Sequence, residues 1–150
     1  MKGIGRSDVG VLILRLGLGL TMLFFGCQKV LGVFGGMGYA DTIGMMHEKL
    51  GVPVVFAHLA IMGEFLGGLG VLFGFLTPIA SLGIACTMGV ATFINMRGSG
   101  VLVGIFAGEK GADASKLFFS GGLCLAAIAL MISGPGKCSL DAKFFRQTKK

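Results

Sequence analysis

Three charged residues lie inside long apolar runs of this 150-residue chain, at positions where they could bind a ligand or move a proton: Arg15, Lys29 and Glu64. An ionisable side chain at membrane depth costs several kcal/mol unless it is paired or solvated, which makes each of them a functional candidate. If the runs are membrane-spanning helices, Arg15 lies about 9 Å from one membrane face and Glu64 about 15 Å from the other, at about 1.5 Å per residue. In a hydrocarbon core of about 30 Å, long side chains can close the remaining distance. We therefore predict a buried ion pair between Arg15 and Glu64.

Lys29 is predicted to extend this polar surface. It follows Arg15 at an angle about 40° short of four full helical turns, so both basic side chains project from one face of the first helix. Two interpretations stay open for this group. The Arg15–Glu64 pair either only holds two helices together, or it lines a site with Lys29 for an anionic or quinone-like head group or a proton path.

Three further polar residues belong to the candidate set. His58 precedes Glu64 by six residues, about 120° around the helix, and is either an interfacial residue or a quinone or metal ligand. Asn95 ends the third apolar run beside Arg97, and we expect both to form a polar mouth with Gln28. The candidate ligand-binding residues are therefore Arg15, Gln28, Lys29, His58, Glu64 and Asn95.

The four cysteines are Cys27, Cys86, Cys124 and Cys138. They form no CxxC motif and no Cys/His cluster, so their spacing predicts neither a metal site nor a dithiol redox motif. Cys86 and Cys124 are predicted to be small apolar fillers within the third and fourth runs. Cys27 is the cysteine that we would test for redox chemistry.

The composition indicates which elements hold these side chains. Hydrophobic residues make up 54% of the chain and charged residues 13%, whereas soluble domains have about 45–50% and about 25%. The apolar runs are long enough for membrane helices, which need about 17–25 residues. They cover approximately residues 9–31, 54–76, 79–95 and 117–133.

The fold predicted for residues 1–150 is a single all-α domain, a four-transmembrane-helix bundle. A short amphipathic helix over residues 42–50 is expected at the membrane surface between the first two spans. Pro78 predicts a tight antiparallel hairpin of the second and third spans. Residues 101–106 are apolar but too short to cross, and they either re-enter the membrane or pack over the bundle.

Small residues recur at helical spacing in two spans. The second span carries Gly63, Gly67, Gly70 and Gly74 on one face. Such a groove lets helix backbones approach closely, within the bundle or against a dimer or partner subunit. The fourth span repeats the same spacing with Gly122, Ala126, Ala129 and Ser133.

The distribution of basic residues predicts the orientation. An even number of crossings places both termini on one side, which carries 7 Lys and Arg against 5 on the other, where Lys29 near the end of the first span is included. The positive-inside rule then places both termini in the cytoplasm. The basic tail, residues 137–150, is expected to meet lipid headgroups rather than nucleic acid.

The start of the chain has a second interpretation, as a lipoprotein signal peptide that ends before Cys27. Arg15 argues against it, because it interrupts the uncharged apolar stretch that such a peptide needs.

Three stretches of the chain resemble the DoxX family of small four-helix bacterial membrane proteins. They are LRLGLGLTMLFFGCQKVLG (residues 14–32), GEFLGGLGVLFGFLTPIASLGIACTM (residues 63–88) and GPGKCSLD (residues 134–141). The most specific parts are the arginine of the first span with the later G-x-Q-K, the glutamate before paired glycines, and GPG-x-x-SLD after the fourth span. Residues 114–119 lack the acidic residue that many relatives have near that helix start.

The resemblance implies an integral protein of the bacterial cytoplasmic (inner) membrane with a role in membrane redox processes. The family takes its name from a subunit of an archaeal thiosulfate:quinone oxidoreductase, and other members are linked to thiol-oxidant defence. The expected function is a subunit of a membrane redox complex, with quinone-linked sulfur or thiol oxidation as the candidate chemistry. The alternative is a non-catalytic anchor or assembly subunit. A quinone is the candidate ligand, no covalent cofactor is expected, and the expected partners are the lipid bilayer and other subunits or further copies of the chain.

Overall fold

The computed structural model describes the backbone of residues 5–98 and 114–147 and the side chains of residues 5–96 and 115–143. The segment 101–106 and the side chain of Arg97, for which we stated expectations above, lie outside these ranges. All regular structure in the described residues is helical. The helices are α1 (Arg6–Leu31), α2 (Tyr39–Leu50), α3 (Val54–Phe73), α4 (Thr77–Gly98), α5 (Ala114–Ser133) and α6 (Leu140–Gln147).

The prediction of an all-α protein with four membrane spans is confirmed. Helices α1, α3, α4 and α5 are each long and apolar enough to cross a membrane, and α2 is the short helix predicted between the first two spans. Some boundaries differ from the prediction. α4 begins at Thr77 because Pro78 fits the first turn of a helix, where no intrahelical amide bond is needed.

A tight turn joins α3 to α4, as the sequence predicts. Gly74 ends α3 in the left-handed conformation with φ 68°, which glycine adopts without steric cost. Leu76 also has a positive φ of 48°, an unfavourable conformation for a side chain of this type. The carboxylate of Asp141 stabilises this turn, since it accepts hydrogen bonds from the amides of Leu76 at 2.8 Å and Thr77 at 2.9 Å.

Helices α1 and α3 approach so closely that glycine is required at their crossing. A methyl group on Gly26 would lie 2.7 Å from the Cα of Phe65, and one on Gly68 would lie 2.7 Å from the amide nitrogen of Leu23. Both distances are shorter than real carbon contacts allow. The two antiparallel helices therefore pack backbone against backbone.

The glycine groove predicted on α3 packs against α4. A methyl group on Gly67 would meet Ile84 at 2.9 Å, and one on Gly70 would meet Ala80 at 2.8 Å. The groove is thus filled within the bundle. The small-residue face of α5 has a different environment, because Gly122, Ala129 and Ser133 are exposed.

The core contains side chains from all four spans. Its buried members are Leu18 and Met22 of α1, Val71 of α3, Ile84 and Met88 of α4, and Ala127 and Leu130 of α5. Large apolar residues also cover the outside of the bundle, as they do where a helix faces acyl chains. We call the end of the bundle that carries Gly5 and α6 the terminal end, and the opposite end, covered by α2, the α2 end.

Candidate functional site: a buried ion pair beside an apolar cavity

Lys29 and Glu64 form an ion pair between α1 and α3. The ammonium nitrogen of Lys29 donates to both carboxylate oxygens of Glu64, at 2.6 Å to Oε1 and 2.5 Å to Oε2. The Glu64 side chain is 5% exposed and that of Lys29 is 32% exposed. The pair therefore lies at the edge of the protein interior, with the carboxylate inside and the lysine reaching it from the α2 end.

The pair exists because the helices touch beside it. Gly26 lies three residues before Lys29 on α1, and it packs against Phe65, which follows Glu64 in the sequence. At such a backbone separation, a lysine side chain spans the distance from α1 to a carboxylate on α3 without leaving the bundle. The glycine of the G-x-Q-K sequence thus positions its lysine.

A cavity of about 870 Å³ lies beside this pair, a volume within the range of about 300–1,000 Å³ that is typical of small-molecule sites. Its walls come from α3 and α4, and α2 with the linker 51–53 covers it. Polar contributions come from the Lys29–Glu64 pair, Thr42, Thr87 and Asn95. The other lining residues are apolar or small: Met45, Met46, Leu50, Gly51, Val52, Pro53, Phe56, Leu59, Ala60, Gly63, Gly83, Cys86, Val90, Ala91 and Ile94.

The cavity arises where α3 and α4 diverge. The two helices are in close contact from their connecting turn up to Gly63. A methyl group on Gly63 would lie 3.0 Å from the side chain of Thr87 and 3.6 Å from the carbonyl oxygen of Gly83. From the contact at Gly63 towards the α2 end, both helices contribute lining residues, from Gly83 to Asn95 along α4. These twelve steps correspond to about 18 Å along the helix axis. The cavity thus extends from the level of Glu64 to the membrane surface at the α2 end.

The predicted Arg15–Glu64 ion pair is wrong. Arg15 is 2% exposed, and its guanidinium donates to backbone carbonyls instead. Nε donates to Val71 at 3.1 Å and Nη2 to Leu72 at 3.2 Å, while Nη1 donates to Pro135 and Cys138, both at 3.1 Å. The arginine therefore joins the C-terminal end of α3 to the segment that follows α5.

Helix register explains this error. Glu64 precedes Val71 by seven residues, which is about 10 Å along α3. The carbonyls at the end of α3 lie at the level of Arg15 and carry the partial negative charge of a helix C-terminus, so they satisfy the guanidinium locally. Lys29, at the other end of α1, is the cation that reaches the level of Glu64.

A family comparison decides the resemblance noted in the sequence. The family model described as DoxX matches residues 10–97. This chain belongs to the DoxX family. It is an integral membrane protein, and the matched region covers α2, α3 and most of α1 and α4.

Curated relatives of this DoxX protein align over most of their length. "Inner membrane protein YqjF" of Escherichia coli (strain K12) is 32% identical over 137 residues, which cover 90% of this chain and 92% of that one. "Uncharacterized membrane protein Rv3486" of Mycobacterium tuberculosis (strain ATCC 25618 / H37Rv) is 31% identical over 144 residues, covering 91% and 82%. "Inner membrane protein YphA" of Escherichia coli (strain K12) is 28% identical over 138 residues, covering 89% of each chain. No solved structure matches the chain.

The predicted site residues separate into two groups. Lys29, Glu64 and Asn95 line the cavity. Gln28 instead stabilises the loop after α1, because its side-chain amide nitrogen donates a hydrogen bond to the carbonyl of Phe34 at 3.2 Å. His58 is exposed and its ring lies 5.5 Å from that of Tyr39. Arg15 lies at the terminal end. Three of the six candidate ligand-binding residues therefore line the cavity.

Sequence reasoning missed other residues of the cavity. Cys86, predicted to be an apolar filler, is exposed and lines the cavity wall. Thr42 and Thr87 line it too, with hydroxyl protons donated to the backbone carbonyls of Gly38 and Gly83. Their oxygens remain able to accept a hydrogen bond. Thr87 follows Gly83 by one helical turn on the face that meets α3, which is the signal that could have found it.

Proposed function

We propose that this DoxX protein is a membrane subunit of a redox complex and that it binds the ring of a lipid-soluble quinone beside Lys29 and Glu64. The observation that carries the proposal is the ion pair at the inner end of a mainly apolar cavity of about 870 Å³. Ligand sites of this kind have apolar walls and a few polar groups that fix orientation. The names of two relatives place those proteins in the inner membrane, where quinones are dissolved.

The side chains in the cavity fit both redox forms of a quinone ring. Lys29 is a donor only, so its ammonium suits a ring carbonyl oxygen. Glu64 in its ionised form is an acceptor only, so its carboxylate suits a ring hydroxyl group. When bound, the quinone would supply two-electron chemistry, while the protein binds and orients the ring and holds a carboxylate beside its oxygen. In this proposal, a partner subunit exchanges the electrons.

The charge of the site favours a neutral ring over an anion. The anionic head group that the sequence left open, at a site of Arg15, Lys29 and Glu64, required two cations beside one carboxylate. Arg15 lies at the terminal end on backbone carbonyls, and Glu64 neutralises Lys29. A neutral pair in an apolar cavity offers an incoming anion no net attraction to offset its loss of hydration.

Purification in mild detergent tests this proposal directly. We expect a quinone and at least one further protein to co-purify with the chain. Glu64→Gln removes the carboxylate charge but keeps the shape. It should lower the affinity for menadiol, the reduced form of the ring compound menadione, about tenfold, because a ring hydroxyl loses one charge-assisted hydrogen bond. The complex should stay assembled, because Glu64 is 4% exposed and offers little surface to a partner.

Glu48→Gln is the matched control, since Glu48 is exposed on α2. It should leave menadiol affinity unchanged. Equal menadiol affinities of the wild type and Glu64→Gln, or no saturable binding in the wild type, would contradict the proposal.

The anchoring alternative is favoured by a separate surface. The exposed small residues of α5 (Gly122, Ala129 and Ser133) form a lipid-facing stripe on which another helix could pack. Under this alternative, Gly122→Leu disrupts the complex, while Glu64→Gln leaves the complex assembled and its quinone turnover unchanged. The same two variants therefore separate the two functions.

A further inference from the structure

The cavity is continuous with the lipid-facing surface between α3 and α4. Four of its lining residues are also exposed on the outside of the bundle: Phe56 at 62%, Leu59 at 61% and Val90 at 55%, together with Cys86. Phe56 and Leu59 form one border of this opening on α3, and Cys86 and Val90 form the other on α4. We call this opening the lateral gap.

The lateral gap lies at membrane depth. Leu59 is five residues beyond the start of α3 at Val54, which is about 8 Å along the helix. Cys86 is nine residues beyond the start of α4 at Thr77, near the middle of a 22-residue helix. The gap therefore faces acyl chains, whereas α2 and the linker 51–53 cover the end of the cavity that is nearest to water.

We propose that the ligand enters sideways from the bilayer and keeps a long apolar tail in the lipid, outside the lateral gap, while its head lies against Lys29 and Glu64. This inference rests on the proposed function and specifies its substrate class as a tailed membrane quinone. A site of about 870 Å³ has the size for a drug-sized head group. A long isoprenoid tail needs an opening, and the lateral gap lets it remain in its preferred solvent.

The chemistry of the borders agrees with a passing tail. All four border side chains are apolar or, for Cys86, a weakly polar thiol, so they require no hydrogen bond from the occupant. The charged groups of the cavity, Lys29 and Glu64, lie at its inner end, where Glu64 is 4% exposed, whereas Thr42 and Asn95 line the end that α2 covers. A molecule with a polar ring and a hydrocarbon tail matches this order from inside to outside.

The chain contains no tryptophan, so a single introduced indole reports ligand proximity through fluorescence quenching. Phe56→Trp places it at the lateral gap. Phe118→Trp is the matched control. Phe118 is 69% exposed and lies near the start of α5, which is at the α2 end of the bundle like Phe56. Both variants are placed in lipid nanodiscs and titrated with menadione, which has no tail, and with menaquinone, which has the same ring and a full isoprenoid tail.

We expect both compounds to quench Phe56→Trp at about a tenfold lower mole fraction in the bilayer than Phe118→Trp. If menadione is selective for Phe56→Trp and menaquinone is not, the cavity binds the ring but lateral access is wrong. If neither compound distinguishes the two tryptophans, the proposed function itself fails. The two failures are therefore distinguishable.

A second variant tests the position of the gap. Val90→Phe, combined with Phe56→Trp, narrows the opening and should weaken menaquinone binding about tenfold while changing menadione binding much less. Leu82→Phe is the control, because Leu82 is 50% exposed elsewhere on α4. Unchanged menaquinone binding in the Val90→Phe variant would overturn the α3–α4 gap as the route.

Discussion

Lys29 and Glu64 depend on each other for their stability in the apolar interior. Removal of one partner leaves the other charge without compensation, whereas replacement of both by apolar residues of similar size is often neutral. We expect Glu64→Leu to lower the free energy of unfolding by about 1–3 kcal/mol, a reduced value because Lys29 remains partly exposed. The double variant Lys29→Met with Glu64→Leu should recover most of this loss.

A double-mutant cycle of thermal unfolding in detergent measures the coupling of this pair. Additive effects of the two substitutions would contradict the pairing. Menadione binding should be lost in the double variant, which lacks the Lys29 donor, even though its stability returns. This combination separates the role of the pair in the fold from its proposed role in the site.

Arg15 has a structural role in this fold, because its four hydrogen bonds all go to backbone carbonyls. Arg15→Met would remove all four hydrogen bonds, and the carbonyl of Val71 would keep only its bond from the amide of Gly74 at 3.2 Å. We expect it to lower the free energy of unfolding by about 3–5 kcal/mol. Arg15→Lys should rescue only part of the loss, since an ammonium lacks the planar five-donor arrangement. Arg6→Met, at an exposed position, is the control.

Thermal unfolding of the purified protein checks this expectation. A stability of Arg15→Met equal to that of Arg6→Met would contradict the structural role. In the folded fraction of Arg15→Lys, menadione affinity should equal that of the wild type, because Arg15 lies at the opposite end of the bundle from the cavity.

At the scale of the elements, the crossing of α1 and α3 sets the geometry of the site. Gly26→Ala introduces a methyl group that would lie 2.7 Å from the Cα of Phe65, so the helices must separate. We expect a loss of about 1–3 kcal/mol in the free energy of unfolding, as for other overpacked interiors. Because Lys29 follows on the same helix, menadione affinity should fall as well.

Gly17→Ala is the control for this prediction, since a methyl group on Gly17 would meet nothing within 4 Å. It should leave both unfolding and menadione binding close to the wild type. If Gly26→Ala behaves like Gly17→Ala, the close α1–α3 packing is not what positions Lys29.

For the whole molecule, orientation in the membrane is the property that the arrangement of helices leaves open. The structure brings the start of α1 and the segment after α5 together, as the ion pair of Asp8 with Lys137 at 2.9 Å shows. The distribution of basic residues then predicts that this terminal end faces the cytoplasm. Cys138 is exposed at this end and offers a direct test.

We expect a charged, membrane-impermeant thiol reagent to label Cys138 in inside-out vesicles but not in intact spheroplasts. Cys138→Ser identifies the labelled position by loss of the signal. Labelling of Cys138 in intact spheroplasts would reverse the predicted orientation.

The sequence by itself determined the class of fold. Four apolar runs, Pro78 and the glycines of α3 predict the spans, the hairpin and a close helix contact, because these depend on local hydropathy and backbone sterics. It also selected Lys29, Glu64 and Asn95, since polar residues at membrane depth are few. The partner of each charge was decided only by tertiary structure.

That decision depends on axial register, which hydropathy does not specify to better than a helical turn. The crossing at Gly26 and Gly68 brings Lys29 to the level of Glu64, and the end of α3 to the level of Arg15. The cavity likewise requires α3 and α4 to diverge beyond Gly63, which depends on how several helices pack at once. Residue types therefore indicated which buried side chains are charged. Helix packing decided that Lys29 pairs with Glu64 at the site and that Arg15 stabilises the fold at the other end of the bundle.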